Sequence, residues 1–456
     1  MSEIKNDVVH TSLPLITGFF ITNLFGLYTY DVSLPKASDE RGERIILIYG
    51  DNGSGKTTIV NLIYHLLSPS ARRGHRSYLA KTRFDNFGVY FSDNRSLIVS
   101  KESEDGLGAY LLQLKRGDEV LSEVRVDSEI REGEFVVSDA NIDNSALRNL
   151  FYELFPTKLE CFYLSDNREL SSDHVSGNVD KEIFPVGLQE QLALVGRRRW
   201  LAGESDVDQP TRQLQQSVAR AESWIKDQTL EARSANDESV SGIYKDLIVR
   251  LGAYGSSQRE DNSRVRAGLI ERLTRLAAST KKLSQLGLAS DVPIDDFVSV
   301  IGKADDQNML LIDQVLTPYF DSVQARIDGL KDVAKRLGTF VNVMNNFYHN
   351  KELKIDALHG LNIKSSKGDK ISVESLSSGE KHLLTLMCNI LVGTSQRSLF
   401  LVDEPELSLN VKWQRTLVDA LLDLSSGSPV QFFMATHSIE LLADHKKSTL
   451  RLTNLV

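Results

Sequence analysis

The feature that most constrains the fold is a glycine-rich segment directly after an apolar run. Ile45-Ile46-Leu47-Ile48-Tyr49 has the character of a buried strand, and residues 50–58 follow it without a break. These nine residues are Gly50, Asp51, Asn52, Gly53, Ser54, Gly55, Lys56, Thr57 and Thr58. They fit the spacing G-x-x-x-x-G-K-[ST], and a helical pattern from Thr57 to Leu67 comes next. The sequence predicts a strand, an anion-binding loop and a helix in succession.

Each residue type in this segment has a physical role. Glycines let backbone N–H groups curl around an anion, and the following helix presents its positive end to the same point. Lys56 adds a point charge for the outer phosphates, and Thr57 offers a hydroxyl to Mg²⁺. We therefore expect residues 50–58 to bind a nucleoside triphosphate, which we take to be ATP, together with Mg²⁺.

The bulk composition limits the class of protein. The chain has 456 residues, of which 41% are hydrophobic and 25% are charged, as in an ordinary globular protein with more than one domain. A formal net charge of −9 argues against a chain that coats nucleic acid as a whole, but it leaves a local basic groove open. Cys161 and Cys388 lack metal-ligand spacing, so we expect neither a zinc site nor a disulfide framework, and we predict a cytoplasmic protein.

The most apolar early stretch, residues 13–29, contains Pro14, Gly18, Asn23 and Gly26. No cluster of positive charge precedes it, so a signal peptide or a membrane span is disfavoured. We expect two buried strands instead, over residues 17–23 and 27–34, and no membrane partner.

Three zones follow along the chain, which we predict as domains 1–168, 169–351 and 352–456. The first is strand-rich, with alternating runs that predict an antiparallel meander at 87–91, 96–99, 109–115 and 119–126 and a further strand at 159–164. The second has helical periodicity, with an apolar seam from Leu316 to Phe347. It is either a compact helical subdomain or a coiled-coil arm. The third predicts a hairpin near 362–373, helices from Glu380 and Val411, and strands at 398–402 and 430–435.

Four more segments occur in a fixed order in the third zone. They are Leu376-Ser377-Ser378-Gly379-Glu380, Leu399-Phe400-Leu401-Val402-Asp403-Glu404, Glu406-Leu407-Ser408-Leu409-Asn410 and Ala435-Thr436-His437-Ser438. Asp403 ends an apolar strand and is suited to hold Mg²⁺ through a water. Glu404, one residue on, is expected to point to the opposite face of the strand, as the base for a water in line with the γ-phosphate. His437 is expected to contact the γ-phosphate or that water.

The segment Ser377, Ser378, Gly379 and Glu380 is a second helix N-terminus suited to a phosphate. A γ-phosphate that Lys56 already holds leaves little room for another anion-binding helix end in the same subunit. We therefore expect the two elements to face each other across two copies of the chain, with the nucleotide between them.

This ordered set resembles the ABC-type ATPases, within the branch that contains SMC, RecF and OLD-like proteins. The resemblance covers residues 12–165 and 352–456. It implies an α/β P-loop NTPase fold: an ABC-type ATPase head with a mixed sheet and an antiparallel β subdomain, split by the helical insertion. It also implies head-to-tail sandwiching, with Ser377 and Gly379 acting in trans, Glu404 as catalytic base and His437 as the switch histidine.

Other positions of the family pattern are less settled. Asn410 falls in the family's dimer-contact loop, where Leu-Ser-Leu-Asn differs from the transporter type. The family's conserved loop glutamine is not assigned; Gln113 and the stretch 164–168 both stay open.

Stand-alone heads with short helical inserts are similar to the ATPase subunits of the PARIS and Septu anti-phage systems, and residues 23–31 favour the PARIS type. That resemblance implies a higher homo-oligomer that holds a separate nuclease-like effector until a phage-derived trigger is sensed. The chain ends nineteen residues after His437, so we expect no nuclease domain to follow. The alternatives are a RecF-type repair ATPase that binds duplex DNA and, third, the ATP-binding subunit of a transporter.

Two basic clusters leave the question of DNA open. The first comprises Arg72, Arg73, His75, Arg76, Lys81 and Arg83, and the second is Arg197-Arg198-Arg199-Trp200. Each is either a solvated surface or a patch for nucleic acid or an acidic partner.

Overall fold

The described residues fall into two compact units. The first compact unit is Met1–Gln213 with Gly393–Val456, and the second compact unit is Leu214–Val392. The domain boundaries at 168/169 and 351/352 stay predictions. The computed structural model describes residues 14–34, 42, 44–68, 74–138, 141–157, 159–165, 170–175, 211–230, 262–289, 293–304, 306–357 and 359–455.

A six-stranded, mostly parallel sheet carries the motifs of the first compact unit. From edge to edge its strands are β11 (Leu170–Val175), β10 (Leu159–Leu164), β15 (Arg397–Asp403), β16 (Val430–Thr436), β3 (Ile45–Tyr49) and β17 (Thr449–Arg451). Only β11 runs antiparallel to its neighbour. β15 and β16 are buried along nearly their whole length, as expected for central parallel strands that read as continuous apolar runs.

The first compact unit also contains an antiparallel sheet. In spatial order its strands are β2 (Tyr28–Ser33), β1 (Ile16–Leu24), β4 (Asn86–Phe91), β5 (Arg95–Lys101), β6 (Tyr110–Arg116) and β7 (Glu119–Val126). The predicted meander is therefore confirmed strand by strand. A short ribbon of β8 (Glu129–Arg131) and β9 (Glu134–Val136) follows it.

Helices complete this unit, and one core joins the two sheets. The helices are α1 (Lys56–Leu67), α2 (His75–Lys81), α3 (Asn144–Leu154), α9 (Val411–Leu424) and α10 (Ile439–Leu442). α1 follows the glycine-rich loop and packs on β15 and β16. Phe19 of β1 and Phe433 of β16 are fully buried with ring centroids 6.3 Å apart, which ties the antiparallel sheet to the parallel one.

The second compact unit is helical with a small sheet. Its helices span 211–230 (α4), α5 (Asn262–Ser284), α6 (Ile294–Lys303), α7 (Asp306–Phe347) and α8 (Ser378–Gly393), and its strands are β12 (Lys351–Asp356), β13 (Gly360–Ser365) and β14 (Lys370–Ile371). α5 packs along α7, which contains the predicted apolar seam. Asn389 of α8 donates to the hydroxyl of Ser217 in α4 over 2.9 Å.

Both interpretations of the first basic cluster are wrong for Arg76. It lies in α2, which sequence patterning did not predict, and it is fully buried. Its guanidinium donates to the carbonyl oxygens of His65, Leu66 and Ser68 at the C-terminal end of α1. Arg76 therefore caps the helix that follows the glycine-rich loop and faces no solvent partner. Arg72, Arg73 and residues 197–200 lie outside the described residues.

Two further observations bear on the sequence-based expectations. Cys161 and Cys388 are both buried, and no disulfide joins them. Among the described residues, no helix combines the length and apolarity that crossing a membrane requires.

We expect the contact between the two sheets to contribute strongly to stability. Phe433→Ala should lower the free energy of unfolding by about 3–5 kcal/mol, because it removes a buried ring and leaves a cavity beside Phe19. Val120→Ala on β7, where 43% of the side chain is exposed, is the matched control and should change stability by at most about 0.5 kcal/mol. Denaturant titration followed by intrinsic fluorescence measures both. Equal effects of the two variants would contradict this account of the core.

Candidate nucleotide-binding site

Three neighbouring parallel strands bring the motifs of the first compact unit to one edge. In the register of β15 and β16, Asp403 lies opposite Ala435, and in that of β16 and β3, Thr436 lies opposite Tyr49. The N–H of Glu404 donates to the carbonyl oxygen of Ala435 over 2.9 Å and extends the ladder by one bond. Because carboxyl ends of parallel strands meet at the same edge, segments distant in sequence converge beside the glycine-rich loop.

The glycine-rich loop has the backbone that only glycine adopts without strain. Gly53 and Gly55 have φ of 81° and 84°. A Cβ on Gly55 would lie 2.8 Å from Cδ2 of Leu24, whereas a Cβ on Gly53 would meet nothing within 4 Å. Gly55 therefore allows close packing on β1, and Gly53 faces open space on the side where an anion would approach.

Lys56 holds its charge inside the loop. It is 6% exposed, and its Nζ donates to the carbonyl oxygens of Gly50 and Asp51 over 2.9 and 3.0 Å. The hydroxyl of Ser54 is buried and has no hydrogen-bond partner among the described residues. The loop thus presents an ammonium group and an unsatisfied hydroxyl, which are groups that a phosphate chain would engage.

Asp403 and Glu404 differ sharply in their environment. Asp403 is 1% exposed at the last position of β15. Glu404 has left the strand and has a φ of 50°, in the left-handed region. The expectation that strand alternation aims Glu404 is therefore wrong, since the turn before Pro405 sets its direction. A non-glycine residue held in this strained conformation is typical of functional sites.

Glu406 is the residue that sequence reasoning missed. It is 5% exposed, and its Oε1 accepts hydrogen bonds from the hydroxyl of Thr436 at 2.5 Å and from the N–H groups of His437 and Ser438 at 3.1 Å. One carboxylate thus fastens the turn after β15 to the end of β16. The sequence does show a second acid two residues after Glu404. Its spacing does not reveal that the hydrogen-bond donors of Glu406 lie at the end of β16.

The side chains of Glu404, Glu406 and His437 form a cluster. Nδ1 of His437 lies 2.5 Å from Oε2 of Glu404 and 3.7 Å from Oε1 of Glu406, with His437 half exposed. Burial, followed by the nearby carboxylates of Glu406 and Asp403, raises the pKa of Glu404 to about 8. The structure therefore brings together the two residues predicted to be catalytic, in a pocket with an excess of negative charge.

The groups at this edge fit a nucleoside triphosphate and a hard cation. The loop N–H groups, Lys56 and the unsatisfied Ser54 hydroxyl suit phosphate oxygens. The hydroxyl of Thr57, which is exposed at the start of α1, and the buried carboxylate of Asp403 are oxygen donors of the kind that Mg²⁺ prefers. The concentration of carboxylates around Glu404 also favours a nearby cation.

The segment 377–380 begins α8 in the second compact unit. Ser377 and Ser378 are exposed, and Glu380 is 7% exposed. Oε2 of Glu380 accepts from the N–H and the hydroxyl of Ser377, both over 2.8 Å, which is a capping box. Lys351 of β12 lies 2.6 Å from Oε1 of the same carboxylate. Glu380 is thus bound within its own unit, and Lys351 is a second residue that sequence reasoning missed.

Two other positions are placed as follows. Asn410 is the N-cap of α9, where its Oδ1 accepts from the N–H of Trp413 over 3.0 Å. Gln113 lies in β6, and its side chain donates to Glu123 of β7 over 3.1 Å. The stretch 164–168 lies outside the described residues after position 165, so the loop glutamine stays unassigned.

Comparisons with known proteins agree with this reading of the fold. Residues 226–443, just under half of the chain, match a family model described as "AAA domain, putative AbiEii toxin, Type IV TA system". The match includes Ser377, Asp403, Glu404 and His437, and the glycine-rich loop lies before it. The chain has the fold of a P-loop ATPase. The predicted fold class is confirmed, and the family match agrees with the prediction of a P-loop ATPase.

Solved structures of Smc head domains are also similar. One, from Pyrococcus furiosus, has an extended coiled coil bound to the C-terminal domain of ScpA; it is 13% identical, covers 94% of this chain and 92% of its own, and has a TM-score of 0.35. Another, an Smc head bound to the C-terminal winged-helix domain of ScpA, is 11% identical, covers 94% and 91%, and has a TM-score of 0.36. At such TM-scores these likenesses say nothing further about the chain. No curated protein matches it.

We expect Glu406 to be the main fastener of this edge. Glu406→Ala should lower the free energy of unfolding by about 1–3 kcal/mol, because the Thr436 hydroxyl and the N–H of His437 lose their acceptor and the N–H of Ser438 loses one of its two. Glu406→Gln keeps an acceptor oxygen and should cost less. Glu440→Ala, which breaks the more exposed pair with Arg415, is the control and should change stability by at most about 1 kcal/mol. Thermal or denaturant unfolding measures all three variants. If Glu406→Ala were as stable as Glu440→Ala, this role of Glu406 would be contradicted.

Proposed function

We propose that this protein hydrolyses ATP with Mg²⁺ at sites shared between two copies of the chain. The observation that carries the proposal is the convergence of Asp403, Glu404 and His437 at the strand edge beside the glycine-rich loop. The distance of 2.5 Å between Nδ1 of His437 and Oε2 of Glu404, and the strained backbone of Glu404, support a water-activating pair.

Each residue has a role in this reaction. The loop N–H groups and Lys56 would hold the phosphates, and Thr57 and Asp403 would hold Mg²⁺, Asp403 through a water. The ion, when bound, offsets charge on the phosphate oxygens. Glu404 takes a proton from the water that attacks the γ-phosphorus, and His437 orients that water or the γ-phosphate. The bond between the γ-phosphorus and the bridging oxygen breaks, and ADP and phosphate leave.

Self-association follows from the chemistry of the second anion-binding segment. Ser377 and Ser378 are exposed at the start of α8, where the first N–H groups of a helix favour an anion. We infer that this edge of one copy completes the nucleotide site of another, with the Asn410 loop nearby, and that a head-to-tail dimer is the unit of a higher oligomer.

We further infer a cytoplasmic role in defence, in which this oligomer restrains a separate nuclease-like effector until a phage-derived trigger arrives. Support comes from the resemblance to the ATPase subunits of anti-phage systems and from a matching family whose description names a toxin of a toxin–antitoxin system. Duplex DNA as a partner is less supported, because Arg76 of the first basic cluster is fully buried. Co-purification of a nuclease-like protein would favour defence, and DNA-stimulated, salt-sensitive hydrolysis would favour repair.

Lys56→Ala should abolish binding of ATP, because it removes the only side-chain charge that the loop directs inward. Fluorescent-nucleotide titration measures this, with Lys81→Ala in the neighbouring exposed pair to Glu134 as control. Retention of normal affinity by Lys56→Ala would contradict the assignment of the loop.

Glu404→Gln should bind ATP but hydrolyse it about 10²–10⁴-fold more slowly, because the amide cannot accept the proton. The ATP-bound assembly should therefore accumulate, as seen by light scattering after gel filtration. Glu440→Gln is the matched control. Hydrolysis by Glu404→Gln at the normal rate would refute its role as base.

Mixing two inactive variants tests whether the site is shared. Lys56→Ala and Ser377→Arg damage opposite halves of the site, so each alone should be inactive. An equimolar mixture should regain up to about a quarter of normal turnover if subunits pair at random, since half the dimers are mixed and each has one intact site. A mixture as inactive as its components would argue against completion in trans.

A further inference from the structure

The start of α8 is held by a charged pair within the second compact unit. Nζ of Lys351 lies 2.6 and 2.8 Å from the two carboxylate oxygens of Glu380. Oε2 of Glu380 in turn accepts from both the N–H and the hydroxyl of Ser377, over 2.8 Å each, and the N–H of Glu380 donates back to the Ser377 hydroxyl over 3.4 Å. Lys351, Glu380 and Ser377 thus form one connected network, which we call the Lys351 clamp.

Lys351 lies in a strand that is hydrogen-bonded to α7. It opens β12, and Asn345 in the last turns of α7 fixes this strand with two hydrogen bonds. The amide of Asn345 donates to the carbonyl oxygen of Leu353 over 3.0 Å, and the N–H of Leu353 donates to Oδ1 of Asn345 over 2.7 Å. These bonds tie the strand that carries Lys351 to α7 two residues beyond the lysine.

The carboxylate depends on the lysine. Glu380 is 7% exposed, and burial alone would raise its pKa, but the hydrogen bonds from Lys351 and Ser377 hold that pKa below its ordinary value. Without Lys351 the charge would be buried and less compensated, so the carboxyl group would take up a proton or swing toward water. Either outcome releases Ser377 from its present orientation.

The same contacts argue against a direct role for Glu380 at a phosphate. Oε2 already accepts from both donors of Ser377, Lys351 donates to both oxygens, and a carboxylate repels a phosphate chain. The N–H groups of Ser378 and Gly379, in the first turn of α8, are the donors that this geometry leaves for an anion. That Glu380 binds nucleotide stays a prediction; the contacts observed are within its own unit.

We propose that Lys351 and Glu380 are positioning residues that set Ser377 and the first turn of α8 in the orientation that meets the nucleotide of a second copy. This inference rests on the proposed function, because it concerns the edge that completes the site in trans. It adds a residue from β12, 26 positions before Ser377 in the sequence, to the surface through which the copies cooperate.

The test compares Lys351→Met with Lys354→Met. Lys354 lies on the same strand and pairs with Glu352 over 3.3 Å, but it is more exposed than Lys351 and lies outside the clamp. Lys351→Met should leave the affinity for ATP within about twofold, because it does not touch the glycine-rich loop. Turnover at fixed enzyme concentration should fall at least about tenfold, and half-maximal turnover per subunit should need more enzyme. Lys354→Met should match the wild type.

Two further variants separate positioning from general damage. Lys351→Arg keeps the charge and should restore at least about half of the lost turnover. The double variant Lys351→Met with Glu380→Gln removes the uncompensated charge and should be no worse than Lys351→Met alone, since the two changes act on one network. These variants also keep the test informative if Lys351→Met folds poorly.

The outcomes are distinguishable from failure of the proposed function. If turnover per subunit of the wild type does not depend on enzyme concentration, the shared site itself is refuted. If the wild type shows that dependence and Lys351→Met follows the same curve, only the Lys351 clamp is refuted. A Lys351→Met protein that loses ATP affinity as much as turnover, with no rescue by Lys351→Arg, would likewise overturn the positioning role.

Discussion

The parallel hydrogen-bonded register of β15, β16 and β3 is the constraint on which the rest of the site depends. Neighbouring parallel strands end at a common edge, and here those ends carry Asp403, His437 and the glycine-rich loop. The loop precedes Asp403 by about 350 positions, and His437 follows Asp403 by 34. Backbone pairing alone sets the spacing between them to that of adjacent strands, roughly 5 Å per step. Side-chain contacts then refine a proximity that the sheet has already imposed.

The positions of the side chains at the site depend on buried carboxylates. Burying a carboxylate costs free energy unless hydrogen-bond donors or a positive charge lie next to it. Glu406 accepts three hydrogen bonds across two strand ends, and Glu380 does a comparable task at the start of α8 with Lys351 as its counter-charge. Burying an acid without such partners would cost several kcal/mol, so each is stable only when its surroundings are correctly assembled. Burial, followed by neighbouring carboxylates, raises the pKa of Glu404, and those carboxylates make the edge a suitable place for a cation bound with a triphosphate.

Much of the fold and of the site could be read from local patterns. The residue spacing at 45–67 predicts the strand, the glycine-rich loop and the helix. The alternation of apolar and polar residues at 86–126 predicts the antiparallel meander. Helical periodicity likewise predicted α7. What failed was any inference that needed a tertiary partner. Arg76 was interpreted as part of a solvated basic stretch or a partner-binding patch. Its acceptors are backbone carbonyl groups at the end of α1, which residue types do not reveal. Glu404 was expected to follow strand alternation, but the chain turns after Asp403.

By itself, the sequence determined the class of protein: a phosphate-binding loop after a buried strand, an acidic pair after another, and a helical segment between the two halves of the fold. Those features are local, because glycine spacing, strand length and helix periodicity act within a few residues. Only the tertiary structure decided which acids accept hydrogen bonds from distant segments and which acid lies beside His437. Glu404, Glu406 and Glu380 are chemically identical in the sequence. Burial, backbone strain and the donors that surround each carboxylate separate their roles, and those depend on residues from distant parts of the chain.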